Sequence, residues 1–402
     1  MSFTVTFVCR EVSLSSRQTK VFFVMVGSVL FFLEVDMLIG IPKEIKDQEG
    51  RVSLTPEAVG TLIKAGHRVR VEVGAGLGAG FSDEAYETLG AEMVDRVTAW
   101  KTDLVIKVKE PLAEEFPFLK EQMLFTFLHL SGAPKSLTEA LLAAGTTGLA
   151  YETLEDKEGR LPLLAPMSAI AGNMAALVGA YYLGRAEGGK GVQLGRVAGK
   201  RHGRVLIIGD GVVARHAAES AYGLGAEVVM AGLDQRVGAA FQERLKEGFQ
   251  FVMSTPSTIN QHLKSSDVVI GAVLRRGGRA AYVLERDQVR SLEDGSVIVD
   301  VSIDQGGCIA TSRPTSHSHP IYVEEGVIHY CVTNMPGAYP RTATVALSEA
   351  ILPYALRLAH SGLDAFSGDP GLKKALETHQ GFLTIASVAE DLGLESRYRP
   401  YD

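Results

Sequence analysis

Short apolar runs alternate with amphipathic stretches along most of the chain. The first set of runs, rich in β-branched and aromatic residues, predicts five strands: Leu38–Ile41, Arg68–Val73, Leu104–Lys107, Met123–Phe127 and Thr147–Tyr151. Stretches with helical periodicity lie between them. One is Pro56–Ala65, for which we expect Thr55 as the N-cap and Pro56 as the first helical residue. This alternation predicts a parallel sheet covered by helices.

A second set of apolar runs follows a long helical stretch at about Ser168–Leu183. It predicts the strands Val205–Ile208, Glu227–Ala231, Val268–Gly271 and Val297–Val301. Another helical pattern, Thr342–Ala359, comes after them. Two such sets predict an α/β protein with two doubly wound, Rossmann-like domains and a cleft between them. We expect a discontinuous substrate domain, residues 37–164 and 340–402, and a dinucleotide-binding domain, residues 165–339.

The first 36 residues do not follow this alternation. The run Val21–Leu33 is apolar and comes after Arg10, Arg17 and Lys20, so it superficially resembles a signal peptide. It is too short to cross a bilayer as a helix, and no small-x-small cleavage site follows it. We therefore expect residues 1–36 to form an N-terminal extension outside the fold, with a role in export or at a membrane as the alternative.

Composition and charge narrow the classes of function. The formal net charge is −7 and the charges are dispersed without a long basic run, which argues against a nucleic-acid partner. The cysteines Cys9, Cys308 and Cys331 are too few and too scattered for a disulfide framework or a recognisable zinc site. We therefore expect a cytoplasmic protein that needs no metal and does not bind a membrane.

The strongest local motif is the glycine-rich turn that follows Val205–Ile208. The strand runs into the GxGxxA sequence Gly209-Asp210-Gly211-Val212-Val213-Ala214, which opens a helix, and the next strand follows a tight turn. This is the context that a dinucleotide-binding fingerprint requires. Gly209 allows the turn, Gly211 allows the backbone to approach a pyrophosphate, and Ala214 allows the helix to pack on the strand. The helix N-terminus supplies N–H donors for the phosphates.

A second glycine cluster, Gly74–Gly80, also follows a strand, but we interpret it as a structural turn. The next helix begins only after Ser82, its expected N-cap. Asp83 and Glu84 lie in its first turn, where negative charge disfavours a bound phosphate.

The carboxylate that usually binds the adenosine ribose at the end of the second strand is replaced by Gly232. Asp234, two residues later, either reaches the ribose hydroxyls or is an ordinary turn residue. Arg236, Arg275 and Arg276 add positive charge that would suit a 2′-phosphate. We therefore expect NAD to be preferred, with measurable use of NADP.

Polar residues interrupt or follow apolar strands at four places: Arg51, Lys107 with Lys109, His129, and Asp300 with Asp304. Ligands of parallel sheets bind at the carboxyl ends of the strands. Taken singly, each residue is better explained as a solvated strand end or a satisfied turn residue. Four such positions beside a dinucleotide-binding motif favour a substrate site.

Seven motifs between Met37 and about Tyr354 resemble the alanine dehydrogenase family. In chain order they are PKExKxxExRV, KVKEP, LFTFLHL, AYET, LPLLAPMS, VIVDVSIDQGG and NMPGAxPRTxT. The resemblance implies a homohexameric oxidoreductase of amino-acid catabolism that interconverts L-alanine with pyruvate and ammonium, using NAD.

The resemblance also implies roles for individual residues. Arg51 and Lys109 would hold the substrate carboxylate and carbonyl, and His129 and Asp304 would be the acid/base pair. The residues around the cofactor would be Ser168, Val212, Val213, Ser254, Val273, Leu274, Val301, Asp304, Val332, Asn334 and Met335. These residue types suit the reaction, because a guanidinium binds a carboxylate, an ammonium polarises a carbonyl and an imidazole transfers protons near neutral pH.

The chain departs from the family pattern only in the half that carries the cofactor motif. The departures are Ala169, Asn173, the loop Gly195–His202, Gly232, and Arg275 with Arg276. These departures concern the choice of cofactor and leave the four substrate and catalytic positions intact. A transhydrogenase-like protein, a lysine/saccharopine-type dehydrogenase and a nucleotide-binding protein without turnover remain alternatives, although the combination of Arg51, Lys109 and His129 favours a small keto-acid pocket.

Overall fold

The computed structural model describes residues 37–274 and 281–401, together with the backbone of three strands in the N-terminal segment. These strands are β1 (Val5–Cys9), β2 (Phe22–Val26) and β3 (Val29–Leu33), and they form an antiparallel sheet of their own. No helix in the described part of the chain is long and apolar enough to cross a membrane. The placement of residues 1–36 outside the fold remains a prediction.

The remaining strands and the helices belong to the two large domains. In chain order, the strands are β4 (Leu38–Ile41), β5 (Arg68–Glu72), β6 (Glu92–Val94), β7 (Leu104–Ile106), β8 (Met123–Thr126), β9 (Thr147–Ala150), β10 (Gly195–Val197), β11 (Lys200–His202), β12 (Arg204–Ile208), β13 (Glu227–Gly232), β14 (Phe249–Met253), β15 (Val268–Gly271), β16 (Val297–Asp300), β17 (Ile321–Glu324), β18 (Val327–Tyr330), β19 (Leu376–His379) and β20 (Phe382–Leu383). The helices are α1 (Pro56–Lys64), α2 (Asp83–Thr88), α3 (Arg96–Trp100), α4 (Lys135–Ala144), α5 (Ala165–Tyr182), α6 (Val212–Leu224), α7 (Gln235–Leu245), α8 (Pro256–Leu263), α9 (Arg286–Val289), α10 (Pro340–Ser361), α11 (Pro370–Lys373) and α12 (Ala386–Leu392).

Two large sheets organise these elements. The first has the order β20-β19-β9-β8-β7-β4-β5-β6, and its strands are parallel from β9 to β6. The second has the order β14-β13-β12-β15-β16-β18-β17, and only β17 is antiparallel to its neighbour. In both sheets the strand order reverses direction beside the first strand, which confirms the predicted doubly wound α/β class.

The two segments of the first domain are joined by packing and by hydrogen bonds. Helix α10 returns to the first sheet, where the hydroxyl of Thr344 accepts the Val52 N–H at 3.1 Å and that of Ser348 accepts the Thr55 N–H at 2.9 Å. Apolar residues of α10, such as Leu347 and Ile351, are fully buried in the core of that sheet. Helix α10 therefore packs on the first sheet, although it follows the second sheet in the chain.

The local signals predicted the central strands of both sheets within a few residues. Thr55 caps α1 by accepting the Ala58 N–H, and Ser82 caps α2 in the same way. The expected loop Gly195–His202 is instead a two-stranded hairpin, β10 with β11, built largely from exposed polar residues. An exposed hairpin has no apolar periodicity, so its sequence contains no strand signal.

Candidate active site

The side chain of Arg51 is 2% exposed and lies where the two domains meet. Its Nε donates to Glu49 Oε1 at 2.6 Å, and Nη2 donates to the second oxygen of Glu49 and, at 2.5 Å, to Asn334 Oδ1. Nη1 donates to Met167 Sδ at 3.1 Å, and a thioether is a weak acceptor. Nη1 is therefore the guanidinium nitrogen most available to an incoming carboxylate.

Glu49 was not singled out from the sequence, although it lies in the same motif as Arg51. Burial alone would raise the pKa of its carboxyl, but the charge of Arg51 and hydrogen bonds from Arg51 and Asn334 outweigh burial and lower the pKa to about 2. Asn334 also donates to Glu49 Oε2 at 2.9 Å. The Arg51–Glu49 pair is thus a fixed ionic element that connects the loop after β4 with the loop after β18.

The two strand-end lysines have different surroundings. Lys107 is fully buried, and its Nζ contacts Glu44 at 3.1 Å and Glu115 at 2.8 Å. Glu44 also accepts the Val108 N–H at 2.7 Å, so this cluster holds the end of β7 in place. Lys107 is therefore a structural residue that supports the position of Lys109.

Lys109 faces the site. Its Nζ lies 5.9 Å from the centroid of the Phe127 ring and has no hydrogen-bond partner among the described residues. Burial lowers the pKa of Lys109, and the charge of Arg51 lowers it further, whereas the negative charge of Asp304 opposes this shift. The site therefore contains an ammonium that is not consumed by a structural hydrogen bond.

His129 stands on a turn with left-handed backbone geometry, φ 48°. Such a conformation costs a non-glycine residue about 1–3 kcal/mol. Glu152 holds the turn, because its Oε1 accepts the His129 N–H at 2.5 Å and lies 3.6 Å from Nδ1. The imidazole stacks on Phe127 with 5.6 Å between centroids and an interplanar angle of 6°, and it remains partly exposed. The ring is thus oriented while one side stays accessible.

A second carboxyl group lies behind this turn. Glu377, on β19, is buried, and its burial together with the negative charge of Glu152 raises its pKa well above the usual value. Two neighbouring carboxyls in a buried site do not both ionise readily. Burial therefore favours the neutral form of Glu377, which lies near the Glu152 carboxyl that holds the His129 turn. Neither glutamate was singled out from the sequence.

The two aspartates near β16 also differ in their surroundings. Asp300 is buried and accepts the N–H groups of Ser302, Cys308 and Ile309, so it organises the chain after the strand. Asp304 is exposed, and its Oδ1 accepts the Asn334 N–H at 3.2 Å. A Cβ placed on Gly132, in the turn after His129, would lie 3.8 Å from the Asp304 carbonyl oxygen. The His129 turn and Asp304 therefore face each other across the two domains.

The glycine-rich turn has the geometry that a dinucleotide requires. Gly209 has φ 131°, and a Cβ there would overlap the carbonyl oxygen of Ala272. A Cβ on Gly211 would meet no atom within 4 Å, so the space above it is open, and Gly211 is also the N-cap of α6. Ala214 is fully buried, which allows close packing of α6. The residues present therefore fit a pyrophosphate at this helix N-terminus.

Other residues expected around the cofactor follow the carboxyl ends of the second sheet's strands or lie on α5. Those that are exposed or half-buried are Ser168, Val212, Val213, Ser254, Val273, Leu274 and Val301. The side chains of Val332 and Met335 belong to the domain core. Asp234 caps α7 by accepting the Arg236 N–H, and its carboxylate also pairs with the Arg236 guanidinium. Arg275 and Arg276 lie outside the described residues.

A cleft of about 620 Å³ opens beside the Arg51–Glu49 pair. It is lined by Lys46, Gln48, Glu49, Gly50, His317, Gly337, Ala338 and Pro340. Within residues 37–274 and 281–401, no group of histidine, cysteine, aspartate or glutamate side chains could hold a metal ion. The polar side chains around this cleft can bind a carboxylate and transfer protons.

Comparison with known proteins yields consistent matches. The profile "Alanine dehydrogenase/PNT, N-terminal domain" matches residues 40–171, and the corresponding C-terminal domain profile matches residues 175–386. Alanine dehydrogenase of Bacillus subtilis (strain 168) is 46% identical over 364 residues, covering 89% of this chain and 96% of that protein. The enzyme of Halomonas elongata is 47% identical over 365 residues, covering 89% and 98%.

Solved structures agree with these matches. An L-alanine dehydrogenase structure superposes with a TM-score of 0.84 at 45% identity, covering 89% of this chain and 99% of that one. A transhydrogenase from Sinorhizobium meliloti superposes with a TM-score of 0.71 at 24% identity, covering 86% and 98%. The second likeness shows a shared fold alone.

Proposed function

This chain belongs to the alanine dehydrogenase/PNT family, and on that premise we propose that it catalyses the reversible, NAD-dependent oxidative deamination of L-alanine to pyruvate and ammonium. The observation that carries the proposal is the grouping of Arg51, Lys109, His129 and Asp304. The charges of Arg51 and Asp304 act on Lys109, and Lys109 and His129 both contact the Phe127 ring. Nothing in the site favours the transhydrogenase-like alternative over this reaction.

The substrate carboxylate binds at Arg51. The Nη1 of Arg51 can donate to a carboxylate oxygen in place of Met167 Sδ, while Glu49 and Asn334 keep the guanidinium in position. Lys109 Nζ adds a second positive charge and donates to the oxygen on C2 of the keto acid. These two cations select a small 2-keto acid over a neutral carbonyl compound.

A nicotinamide dinucleotide held at Gly209, Gly211 and the α6 N-terminus would supply the acceptor for the hydride of the amino-acid Cα. Asp304 stabilises the resulting cationic iminium and orients the water that adds to it. His129 takes a proton from that water and donates it to the amine nitrogen, and it then takes the hydroxyl proton as the carbinolamine collapses to pyruvate and ammonia. Glu152 Oε1, 3.6 Å from Nδ1, orients the imidazole for this transfer.

A panel assay tests the proposal. Oxidation of NADH by the purified full-length protein is followed with ammonium and, separately, pyruvate, glyoxylate, 2-oxobutyrate and 2-oxoglutarate. We expect the highest kcat/KM with pyruvate and slower turnover with glyoxylate. Absence of turnover with every keto acid, in a folded sample that binds NADH, would refute the proposed dehydrogenase activity.

Assembly and location rest on the family resemblance alone. We propose a homohexamer in the cytoplasm, with L-alanine, pyruvate and ammonium as its small-molecule partners. Light scattering coupled to size exclusion measures the assembly directly, and a monomeric mass for the active protein would contradict the hexamer.

A further inference from the structure

The end of β13 carries a substitution and, next to it, an unexpected side chain. Gly232 stands where a ribose-binding carboxylate is usual. Asp210, in the glycine-rich turn, extends toward this position, and its Oδ2 accepts the N–H groups of Leu233 and Asp234, each at 2.6 Å. A carboxylate therefore lies beside the end of β13, but it belongs to the glycine-rich turn and not to the strand itself.

The two positions are sterically linked. A Cβ on Gly232 would lie 2.7 Å from Asp210 Cβ and 2.8 Å from its Oδ2, and also 2.7 Å from the Phe251 ring. These separations are shorter than van der Waals contact, so a side chain at 232 and the observed Asp210 conformer exclude each other. Gly232 is what allows Asp210 to reach the strand end.

The Asp210 carboxylate has one oxygen to spare. Both backbone N–H groups go to Oδ2, and Oδ1 accepts no hydrogen bond from the residues that the structure describes. The side chain is half-buried between the turn that carries Gly209 and Gly211 and the end of β13. This is the region in which the adenosine ribose of a dinucleotide lies when its pyrophosphate is at the α6 N-terminus.

Asp234 is a weaker candidate for the same role. Its carboxylate caps α7 and accepts both Nε and Nη2 of Arg236, at 3.0 and 2.9 Å. Reaching a ribose would break the cap and this pair together.

We propose that Asp210 replaces the missing strand-end carboxylate and sets the preference for NAD. Its Oδ1 accepts the ribose hydroxyls, and its charge repels the 2′-phosphate of NADP. This inference rests on the proposed function, because it assigns the cofactor that the dehydrogenase uses. From Gly232 alone we expected measurable use of NADP. With Asp210 in this role, we expect a clear preference for NAD instead.

Direct binding tests the proposal without relying on turnover. Dissociation constants of NADH and NADPH are measured by nucleotide fluorescence on the full chain and on Asp210→Asn, with thermal unfolding of the nucleotide-free protein as a check of folding. We expect the unmodified protein to bind NADH at least tenfold more tightly than NADPH. Asp210→Asn should reduce that ratio at least tenfold, because the amide keeps a hydrogen-bond acceptor but loses the charge.

Two further substitutions separate the possible causes. Glu243→Gln removes an exposed charge from α7, the helix that Asp234 caps, and should leave the ratio of the two dissociation constants within twofold of the unmodified protein. Asp234→Asn tests the rival carboxylate. If Asp234→Asn lowers the ratio and Asp210→Asn does not, the assignment to Asp210 is wrong.

A double substitution tests the steric link. Gly232→Asp alone should lower the unfolding temperature, because its Cβ collides with Asp210 and Phe251. Combining it with Asp210→Gly removes the contact with Asp210 and returns the carboxylate to the strand end. The double variant should recover part of the stability, because the contact with Phe251 remains, and should regain the NADH preference relative to Asp210→Gly. If the unmodified protein binds NADH and Asp210→Asn leaves the ratio of NADPH to NADH dissociation constants unchanged, this inference is wrong and the proposed dehydrogenase activity still stands. Failure to bind either nucleotide overturns both.

Discussion

Replacing Glu49 by glutamine removes the anionic half of a pair whose side chains are almost wholly buried, at 2% exposure for Arg51 and 0% for Glu49. The lowering of the Glu49 pKa from 4.5 to about 2 reflects how much the folded protein stabilises the ionised carboxylate relative to the protonated one. At about 1.4 kcal/mol per pKa unit, this shift corresponds to about 3 kcal/mol of stability. Removing one partner of a buried pair typically costs a similar amount, about 3–5 kcal/mol.

The direction of the pH dependence follows from the lowered pKa. Because the folded-state pKa lies below the unfolded value, the ionised Glu49 stabilises the fold at all pH values above about 4.5. This contribution is lost as the pH falls from 4.5 toward 2. The stability difference between the unmodified protein and Glu49→Gln should therefore be constant from pH 8 to 5 and shrink at lower pH.

Urea unfolding at several pH values, at a fixed protein concentration, measures this difference. Glu92→Gln is the matched control, because Glu92 pairs with Arg70 at 2.9 Å on the same sheet but is 59% exposed. Exposed pairs contribute about 0–1 kcal/mol. A loss in Glu49→Gln no larger than that in Glu92→Gln would refute the reasoning that the buried pair fixes the two domains' loops.

Three further predictions concern the catalytic groups, the two lysines and the N-terminal segment. His129→Ala and Asp304→Asn should each lower kcat about a hundredfold or more while NADH still binds, and near-normal turnover would remove that residue from the mechanism. Lys107→Met should destabilise the fold by about 3–5 kcal/mol, because it leaves two buried glutamates without their cation. Lys109→Met should keep the unfolding midpoint of the unmodified protein but lose turnover. Equal unfolding midpoints for the two variants would contradict this distinction. A chain that starts at Met37 should be soluble and as active as the full chain, and an insoluble or inactive product would show that residues 1–36 contribute to the fold or to its location.

The fold was predictable because its strands are buried and bounded by clear turn signals. Strands β4 and β15 were predicted to the residue, and the cap of α1 follows from Thr55 and Pro56 alone. The strands β17 and β18 were missed, although β18 is fully buried. Its run Val327–Tyr330 is interrupted by the polar His329, which breaks the continuous apolar pattern that marks a buried strand.

The candidate site was predictable only as a set of strand ends. The sequence could not separate Lys107 from Lys109 or Asp300 from Asp304, because the distinction depends on which side chains meet a partner from elsewhere in the chain. Lys107 meets Glu115 and Asp300 meets backbone N–H groups, whereas Lys109 Nζ lies over the Phe127 ring and Asp304 is exposed. Local patterns do not contain such tertiary contacts.

The same limit explains the residues that were missed. Glu152 and Glu377 are 225 positions apart, which places them far beyond any local pattern, yet they form one buried pair of carboxyls. The interaction of Asp210 with the end of β13 depends on the absence of a side chain at Gly232. From the sequence, that glycine indicated only a loss of function at the strand end.

Transfer of a hydride from the Cα of L-alanine to a nicotinamide is the defining step of the proposed activity. Incubation of the purified protein with L-alanine deuterated at Cα and with NAD, followed by mass spectrometry of the nucleotide and the keto acid, tests this step most directly. We predict NADH that carries one deuterium and an equal amount of pyruvate. Formation of NADH without deuterium, or no NADH from a folded sample that binds NAD, would contradict the proposed reaction.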